Sequence, residues 1–266
     1  MQAFNYHRPN SVEEAATLFG DSSDARYLAG GQTLIPTLKM RLAATSDLID
    51  LGGVKQLAGI QAEAGKIIIG AMTTHAEVAN SGAVQCTLRA LAALATGIGD
   101  RQVRNRGTLG GSLANNDPAA CYPAAVLALN ATLRTSKREI AADRFFLGLY
   151  ETALEPGEII TSVVFPIPKR AAYVKFRNPA SRFALVGVFV SATDNDVRVA
   201  VTGAGPGVFR ITAFEQALAK TFSPRTLDGL AVPADNLNAD IHASADYRAH
   251  LIPVIAKRAV EAALNS

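Results

Sequence analysis

The segment YLAGGQTLIP, residues 27–36, places a pair of glycines between an apolar run and a stretch with helical spacing. The preceding residues predict a short strand, and Leu34, Leu38 and Leu42 predict a helix that begins near Thr33. Glycine accepts positive φ and lets a ligand approach the main chain, so Gly30 and Gly31 leave backbone N–H groups open to an anion. The segment therefore predicts a strand, a glycine turn and a helix that together could hold a phosphate.

A second glycine pair lies in GTLGGSLAN, residues 107–115. Neither segment has the glycine spacing of a Rossmann fingerprint or of a P-loop. A tight turn alone explains one glycine pair, whereas two pairs favour an elongated ligand with a diphosphate centre held between two segments. Hydroxyl and amide side chains after the second pair could bind phosphate or sugar oxygens.

Two structural interpretations apply to the residues around the second pair. Asp117 and Pro118 are typical of an N-cap and first helical residue, and they predict a cap for the helix in PAAVLAL. Arg101, Arg104 and Arg106 are interpreted as a solvated face of a loop.

The remaining pattern predicts an α+β chain with a break near residue 170. SVEEAATLFG predicts a helix at about 11–19, with Ser11 as N-cap and Glu14 three residues later. After the strand in GEIITSVVFPIP, the chain changes to a strand meander with a turn at TDND, followed by two helices. The expected domains are residues 1–170 and 171–266.

Charge and cysteine content exclude several classes of protein. The chain has 26 Lys and Arg against 23 Asp and Glu without a basic block, so nucleic acid is not an expected partner. No apolar run is long enough for a membrane span, and the N-terminus lacks the apolar core of a signal peptide, so a cytoplasmic location is expected. Cys86 and Cys121 are isolated, so no metal site or iron–sulfur cluster is expected in this chain.

YLAGGQTLIPTLKMRL and RNRGTLGGSLANNDPAACYPAAVLAL together resemble the FAD-binding, or medium, subunit of the molybdenum hydroxylase family. This family includes the medium chains of carbon monoxide dehydrogenase-like and xanthine dehydrogenase-like complexes. GAMTTH, GEIITSVVFP and YVKFRNPASRFALVGV follow in the order expected for the family, so the resemblance covers essentially the whole chain. It implies a two-part FAD-binding domain of the vanillyl-alcohol oxidase and p-cresol methylhydroxylase type, with parts at about 1–55 and 56–170, and a smaller C-terminal α/β domain.

The resemblance also implies which residues contact FAD. The first glycine segment would wrap the diphosphate with residues Leu28, Ala29, Gly30, Gly31, Gln32, Thr33 and Leu34. The second wall would consist of Thr108, Gly110, Gly111 and Ser112. Ile98 and Gly99 would lie beside the isoalloxazine, and Lys175 would approach the ring. The sugar and adenine end would be faced by Ala114, Asn116, Asp117 and Ile160. Many relatives carry an acidic residue where this chain has Cys121, so a side-chain contact at that position is not carried over.

The resemblance predicts non-covalent FAD, because none of His7, His75, His242 and His250 lies in a glycine loop. His75 is interpreted as a structural residue in the first turn of a helix. The implied function is electron transfer within a heterotrimer. A large subunit would hold molybdopterin, a small subunit would hold two [2Fe–2S] clusters, and FAD would pass electrons to an external acceptor.

Two other functions are compatible with the sequence. One is a self-sufficient FAD-dependent oxidase or reductase of the same fold, and the other is an assembly subunit with a degenerate nucleotide site. Intact glycines at both segments disfavour the second alternative. The substrate is left open among carbon monoxide, aldehydes, purines and N-heterocycles, and the terminal acceptor is left open as well.

Overall fold

The structure is a computed structural model that describes residues 1–265. Its N-terminal part alternates strands and helices. Strands Asn5–His7 (β1), Ala25–Leu28 (β2) and Asp47–Asp50 (β3) form a parallel sheet in the order β1-β3-β2. Helices Val12–Gly20 (α1) and Leu34–Lys39 (α2) connect these strands.

Helix α1 confirms the prediction for this segment. The Ser11 hydroxyl accepts a hydrogen bond from the Glu14 N–H at 3.1 Å, and the Glu14 carboxylate accepts one from the Asn10 N–H at 2.7 Å. These two bonds satisfy N–H groups that the start of a helix leaves without partners.

Helix α2 begins where the sequence predicts but ends earlier. Arg41 adopts a φ of 58°, the Leu42 N–H donates to the Thr37 carbonyl at 3.0 Å, and the Arg41 N–H donates to the Leu38 carbonyl at 3.2 Å. This is a Schellman cap with arginine where glycine is usual. Leu42 is therefore 72% exposed and does not continue the apolar face of the helix, so the predicted helical role of Leu42 is wrong.

The middle part of the chain combines an antiparallel sheet with a group of short helices. Its strands are Ile60–Glu63 (β4), Lys66–Gly70 (β5), Thr132–Thr135 (β6), Glu139–Ala141 (β7), Phe146–Gly148 (β8), Glu151–Thr152 (β9) and Ile160–Pro166 (β10). Its helices are His75–Asn80 (α3), Gly82–Thr87 (α4), Arg89–Thr96 (α5), Arg101–Arg106 (α6), Leu109–Asn115 (α7) and Tyr122–Ala128 (α8). The five-stranded sheet has the order β4-β5-β10-β6-β7, while β8 and β9 form a separate hairpin. Ile69 and Phe165 of the sheet share one buried core with Leu91 of α5 and Tyr122 of α8.

Helices α6 and α7 correct two sequence interpretations. The three arginines lie on a helix capped by Asp100, whose carboxylate accepts from the Val103 N–H at 2.8 Å. The second glycine pair lies in the first turn of α7 rather than in a loop. Asp117 accepts from the Ala119 N–H at 2.8 Å in an Asx turn, but α8 begins only at Tyr122, so the predicted N-cap role of Asp117 is wrong.

The C-terminal part is a four-stranded antiparallel sheet with two helices. Its elements are Arg170–Arg177 (β11), Ala184–Ala192 (β12), Val197–Thr202 (β13), Phe209–Arg210 (β14), Thr212–Lys220 (α9) and Ala245–Leu264 (α10). The predicted turn at TDND is confirmed, because the Thr193 N–H donates to the Asp196 carbonyl at 2.9 Å. Every residue of β12 is buried, since α10 covers one face of the sheet and α8 packs on the other.

Hydrogen bonds connect the C-terminal sheet directly to α8 and to the turn before it. Ser191 donates to the Ala128 carbonyl at 2.5 Å, and Thr202 donates to the Ala120 carbonyl at 2.7 Å. Arg198 donates to the Leu127 carbonyl at 3.1 Å. These bonds fix the C-terminal sheet against the middle part of the chain. Within residues 1–265, no helix is both long enough and apolar enough to cross a membrane.

Candidate functional site

A cavity of about 710 Å³ lies where the three parts of the chain meet. The N-terminal part contributes the turn between β2 and α2, and the middle part contributes segments 98–121 and 152–160. The C-terminal part contributes Lys175 and residues 181–183. The two glycine segments therefore face one cavity, as the sequence predicts for two walls around one ligand.

The first glycine segment leaves its N–H groups open. Gly31 has a φ of 72°, and the N–H groups of Gly31, Gln32 and Thr33 have no acceptor among residues 1–265. Helix α2 begins at the next residue, so its dipole adds positive potential at the same place. This wall can donate several main-chain hydrogen bonds to an anionic ligand.

Gly30 is required for another reason. A Cβ atom at Gly30 would overlap the Arg106 carbonyl oxygen and would lie 2.6 Å from the Gly107 Cα. The absence of a side chain at Gly30 therefore lets the turn after β2 pack directly against the end of α6. The two walls of the cavity are held together by this backbone contact.

The second wall differs from the expectation of a row of open N–H groups. Leu109 donates to the Thr73 carbonyl at 3.0 Å, and Gly110 donates to the Ala71 carbonyl at 2.7 Å. Gly111 donates to the Thr108 hydroxyl at 3.1 Å, which caps α7. These N–H groups already have acceptors in the chain, so they are not open donors. Thr108 and Ser112 both line the cavity, and their hydroxyls are the side-chain donors that this turn offers.

His75 lies beneath the second wall as the first residue of α3, where the sequence predicts it. Burial, with a smaller contribution from the positive charge of Arg104, lowers the pKa of His75 to about 4. The ring is therefore neutral at neutral pH. Its Nε2 would lie 2.6 Å from a Cβ at Gly107, so the ring supports the glycine that joins α6 to α7.

An aromatic pair and a loop from the middle part form another wall. The Phe19 and Tyr27 rings stack with their centroids 4.9 Å apart, and the Tyr27 hydroxyl donates to the Gly157 carbonyl at 3.1 Å. Burial raises the pKa of Tyr27 to about 12, so the hydroxyl keeps its proton. Burial also raises the pKa of Glu158, but hydrogen bonds from Arg138, the Glu155 N–H and Thr135 outweigh it and hold the pKa at about 2.

The C-terminal part closes the cavity with a positively charged side chain. The Lys175 ammonium donates to the Cys121 sulfur at 3.3 Å and to the Arg182 carbonyl at 2.9 Å. The Arg182 guanidinium donates to the Gly99 carbonyl at 3.4 Å. Cys121 is buried and lines the cavity, so it positions Lys175 within the wall.

Most of the residues predicted to contact the ligand line this cavity. They are Ala29, Gly30, Gly31, Gln32, Thr33, Leu34, Ile98, Gly99, Thr108, Gly110, Gly111, Ser112, Ala114, Asp117, Ile160 and Lys175. Leu28 and Asn116 do not. Leu28 packs beside Gly31 and Ile35, and the buried Asn116 amide donates to the Gly148 and Glu151 carbonyls at 2.9 and 2.8 Å. Asn116 therefore holds the β8–β9 hairpin.

Sequence reasoning assigned no role in ligand binding to several other residues of the cavity. These are Phe19, Tyr27, Leu154, Gly157, Arg182 and Phe183. Tyr27 lies in YLAGGQTLIP, and Arg182 and Phe183 lie in YVKFRNPASRFALVGV. Their positions in these two motifs were the sequence signal that could have indicated a role in the cavity. Phe19 and Gly157 are far from either glycine pair in sequence and come together only through the fold.

Comparison with known proteins identifies the family. Residues 2–168 match the family described as the FAD binding domain in molybdopterin dehydrogenase. The chain belongs to this family. Members of the molybdopterin dehydrogenase FAD-binding family bind FAD, and the cavity described above lies within and beside the matched residues.

Two relatives resemble this chain along almost its whole length. The nicotine 6-hydroxylase medium subunit of Paenarthrobacter nicotinovorans is 38% identical, and the match covers 98% of this chain and 97% of the relative. The carbon monoxide dehydrogenase medium chain of Hydrogenophaga pseudoflava is 35% identical, with 98% and 96% covered. Both names describe oxidoreductase subunits.

Solved structures show the same fold. A carbon monoxide dehydrogenase structure from Hydrogenophaga pseudoflava superposes with a TM-score of 0.89 at 35% identity, covering 99% of this chain and 98% of that chain. Quinoline 2-oxidoreductase from Pseudomonas putida 86 gives a TM-score of 0.89 at 30% identity, with the same coverage. The α+β fold expected from the family resemblance is confirmed.

Proposed function

We propose that this chain is the electron-transfer subunit of a heterotrimeric molybdenum hydroxylase. A large subunit with molybdopterin oxidises the substrate, and a small subunit with two [2Fe–2S] clusters carries the electrons to the FAD of this chain. With FAD held in the cavity, this chain would pass the electrons to an external acceptor. The observation that carries this proposal is the cavity with two glycine walls, in a chain similar over 98% of its length to medium subunits.

The residues of the cavity fit FAD. Three open N–H groups and the start of α2 match the requirements of a diphosphate. A Cβ at Gly111 would lie 3.1 Å from the Ala29 Cβ, so the two walls approach each other this closely only because Gly111 has no side chain. A cavity of about 710 Å³ bounded by three parts of the chain suits an elongated cofactor.

We assign the sixteen predicted residues that line the cavity to FAD contacts, and we assign Leu28 and Asn116 to supporting roles. We also propose that residues 1–170 form the FAD-binding domain and that 171–266 form a separate C-terminal domain. Lys175, Arg182 and Phe183 line the cavity. Their position supports a direct role of the C-terminal domain in cofactor binding.

Bound FAD supplies an electron acceptor that can exchange one or two electrons at a time. The residues of this chain bind and orient it. The open N–H groups of 31–33 hold negative charge, neutral His75 supports the second wall without adding charge, and Lys175 places a positive charge in the C-terminal wall. The stacked Phe19 and Tyr27 rings give the cavity an aromatic wall on their side.

A comparison of the isolated chain with the assembled complex tests the proposal. Both are purified with FAD, and flavin absorbance is followed after addition of carbon monoxide, an aldehyde, a purine or an N-heterocycle. We expect one of these substrates to bleach the flavin of the complex and none to bleach that of the isolated chain. Rapid bleaching of the chain alone would support the self-sufficient oxidase instead.

A further inference from the structure

The imidazole ring of His75 is a buried polar group for which the described chain supplies no hydrogen-bond partner. Only 5% of the residue is exposed. Its Nδ1 is enclosed and has no partner, and no hydrogen bond within residues 1–265 reaches its Nε2. The large majority of buried polar side-chain atoms in folded proteins are hydrogen-bonded, because an unpaired one costs stability. The ring therefore requires a partner from outside residues 1–265.

The ring faces the cavity through the space that a glycine leaves open. His75 and Gly107 both line the cavity, and the His75 N–H donates to the Gly107 carbonyl at 2.9 Å. A Cβ atom at Gly107 would lie 2.6 Å from the His75 Nε2 and 2.9 Å from its Cδ2. The absence of a side chain at Gly107 therefore leaves the Nε2 edge of the ring uncovered.

The neighbouring side chains do not supply the missing partner. The centroids of the His75 and Tyr122 rings are 5.3 Å apart, but the Tyr122 hydroxyl is also without a partner among the described residues. Tyr122 is fully buried and does not line the cavity. The Arg104 guanidinium donates to the carbonyls of Ile98 and Gly99 at 2.9 and 3.2 Å. A ligand in the cavity is therefore the partner that remains for His75.

The uncovered edge of the ring adjoins the wall that can hold an anion. A Cβ at Gly30 would lie 2.6 Å from the Gly107 Cα, so these two glycines are in direct backbone contact. Gly30 immediately precedes residues 31–33, whose N–H groups are open. A diphosphate bound by these N–H groups would lie beside Gly107 and beside the His75 ring.

The charge state of the ring suits a hydrogen bond to an anion. Burial, with a smaller contribution from Arg104, lowers the pKa of His75 to about 4, so the ring is neutral and carries one N–H donor. Phosphate oxygens accept hydrogen bonds, and a bond to a charged acceptor is roughly twice as strong as one between neutral groups. A neutral histidine can therefore bind a phosphate oxygen without the cost of burying a second charge.

We propose that His75 is a further FAD-binding residue, whose Nε2–H donates a hydrogen bond to a diphosphate oxygen of FAD. This inference rests on the FAD site proposed above and not on the identity of the electron donor or acceptor. It gives His75 a contact with the ligand in addition to its structural position at the start of α3. It also gives Gly107 a role, because a side chain at that position would cover the donor.

Nuclear magnetic resonance of the histidine rings tests the contact directly. The full chain, with its four histidines labelled with ¹⁵N in the ring, is prepared without flavin and then saturated in turn with FAD, ADP or riboflavin. The His75 signals are identified by their absence from His75→Gln. We expect FAD and ADP, which both contain a diphosphate, to shift the Nε2 signal and to slow exchange of its proton with water. Riboflavin, which has no phosphate, should leave the signal unchanged.

Affinity measurements separate the hydrogen bond from packing. His75→Leu removes the ring N–H and is expected to weaken FAD binding about tenfold, whereas His75→Gln keeps an N–H donor at the end of the side chain and should remain within about twofold of the wild type. The matched control is Tyr122→Phe, which removes an unpaired hydroxyl from the same ring pair but outside the cavity wall. This control should bind FAD like the wild type. Urea unfolding establishes that each variant is folded before the titration.

Three results would overturn the inference. Identical His75 signals with and without bound FAD would show that the ring does not contact the cofactor. A shift caused by riboflavin but not by ADP would assign the contact to the flavin ring instead of the diphosphate. Equal losses of affinity in His75→Leu and Tyr122→Phe would assign the effect to packing of the ring pair. By contrast, failure of the wild-type chain to bind FAD would contradict the FAD site itself.

Discussion

At the scale of single residues, the four glycines of the two walls serve different purposes. Gly30 and Gly110 lack side chains because the Arg106 carbonyl and Ala71, respectively, occupy the space. Gly31 is needed for its positive φ, and Gly111 for the close approach of the walls. Substitutions at Gly30 or Gly110 would therefore disturb packing, so they are poor tests of ligand contact.

Gly31→Asp is expected to reduce FAD affinity at least tenfold. The new carboxylate would stand beside N–H groups that bind negative charge, and its Cβ would meet Ile35 at 3.0 Å. Gly65→Asp is the matched control, because Gly65 has a φ of 74° and open space around it. Flavin absorbance per protein should fall only for Gly31→Asp. Equal flavin content in both variants would contradict a role of this turn in binding.

His75 makes stability depend on pH. Its pKa is about 4 in the folded chain and about 6.5 when unfolded. The unfolded chain therefore binds an extra proton between these values, so this stabilisation is complete above pH 6.5 and is lost as pH falls towards 4. The full effect is on the order of 3 kcal/mol.

Urea unfolding at several pH values between 4.5 and 7 tests this prediction. His75→Gln should lose most of the dependence, whereas His250→Gln, at an exposed position on α10, should keep it. The Glu158 carboxylate has a pKa of about 2 in the folded chain against an ordinary value of 4.5, so most of its effect on stability falls below this range. An unchanged pH profile for His75→Gln would show that the ring is not the responsible group.

At the scale of elements, the sequence predicts the β2–turn–α2 unit and the meander from β11 to β13, because apolar periodicity and glycines mark them clearly. It does not predict α6 and α7. A glycine pair is unfavourable in a helix, and packing of Gly110 against Ala71 compensates for it. The N–H groups of Leu109 and Gly110 donate to the Thr73 and Ala71 carbonyls in the segment after β5, so no local pattern could reveal these bonds.

Thr108→Ala tests the start of α7. Loss of the hydroxyl leaves the Gly111 N–H without its cap and is expected to lower the free energy of unfolding by about 1 kcal/mol. Thr108→Ser keeps the hydroxyl and should remain close to the wild type. Thermal unfolding of both variants without FAD distinguishes a structural role from a ligand contact. Equal melting temperatures for the two variants would refute the capping role.

At the scale of the whole molecule, the cavity depends on how firmly the C-terminal sheet is attached to α8. Arg198 connects the two through the Leu127 carbonyl and a bidentate pair with Asp143 at 3.1 and 3.0 Å. Because Lys175 and Phe183 belong to the C-terminal part, this attachment also sets one wall of the cavity.

Arg198→Met should therefore lower both stability and FAD affinity. Loss of the hydrogen bond to the Leu127 carbonyl and of the pair with Asp143, which keeps Arg210 at 3.5 Å, is expected to cost about 1–2 kcal/mol. Lys169→Met removes the exposed pair with Asp194 and should change stability by less than about 1 kcal/mol. Urea unfolding and flavin titration measure the two effects. If Arg198→Met lowers stability but leaves FAD affinity unchanged, the attachment of the C-terminal sheet to α8 does not determine the shape of the cavity.

The fully buried strand β12 has a consequence for biosynthesis. Residues 183–192, FALVGVFVSA, contain no charge and no proline, and both faces of β12 are covered only when α8 and α10 are in place. Helix α10 is synthesised after β12, so a nascent chain presents an uncharged, β-prone segment until α10 has been made. Chains released before residue 245 are therefore expected to aggregate. Binding of a chaperone to this segment during translation would protect the chain until α10 packs on it.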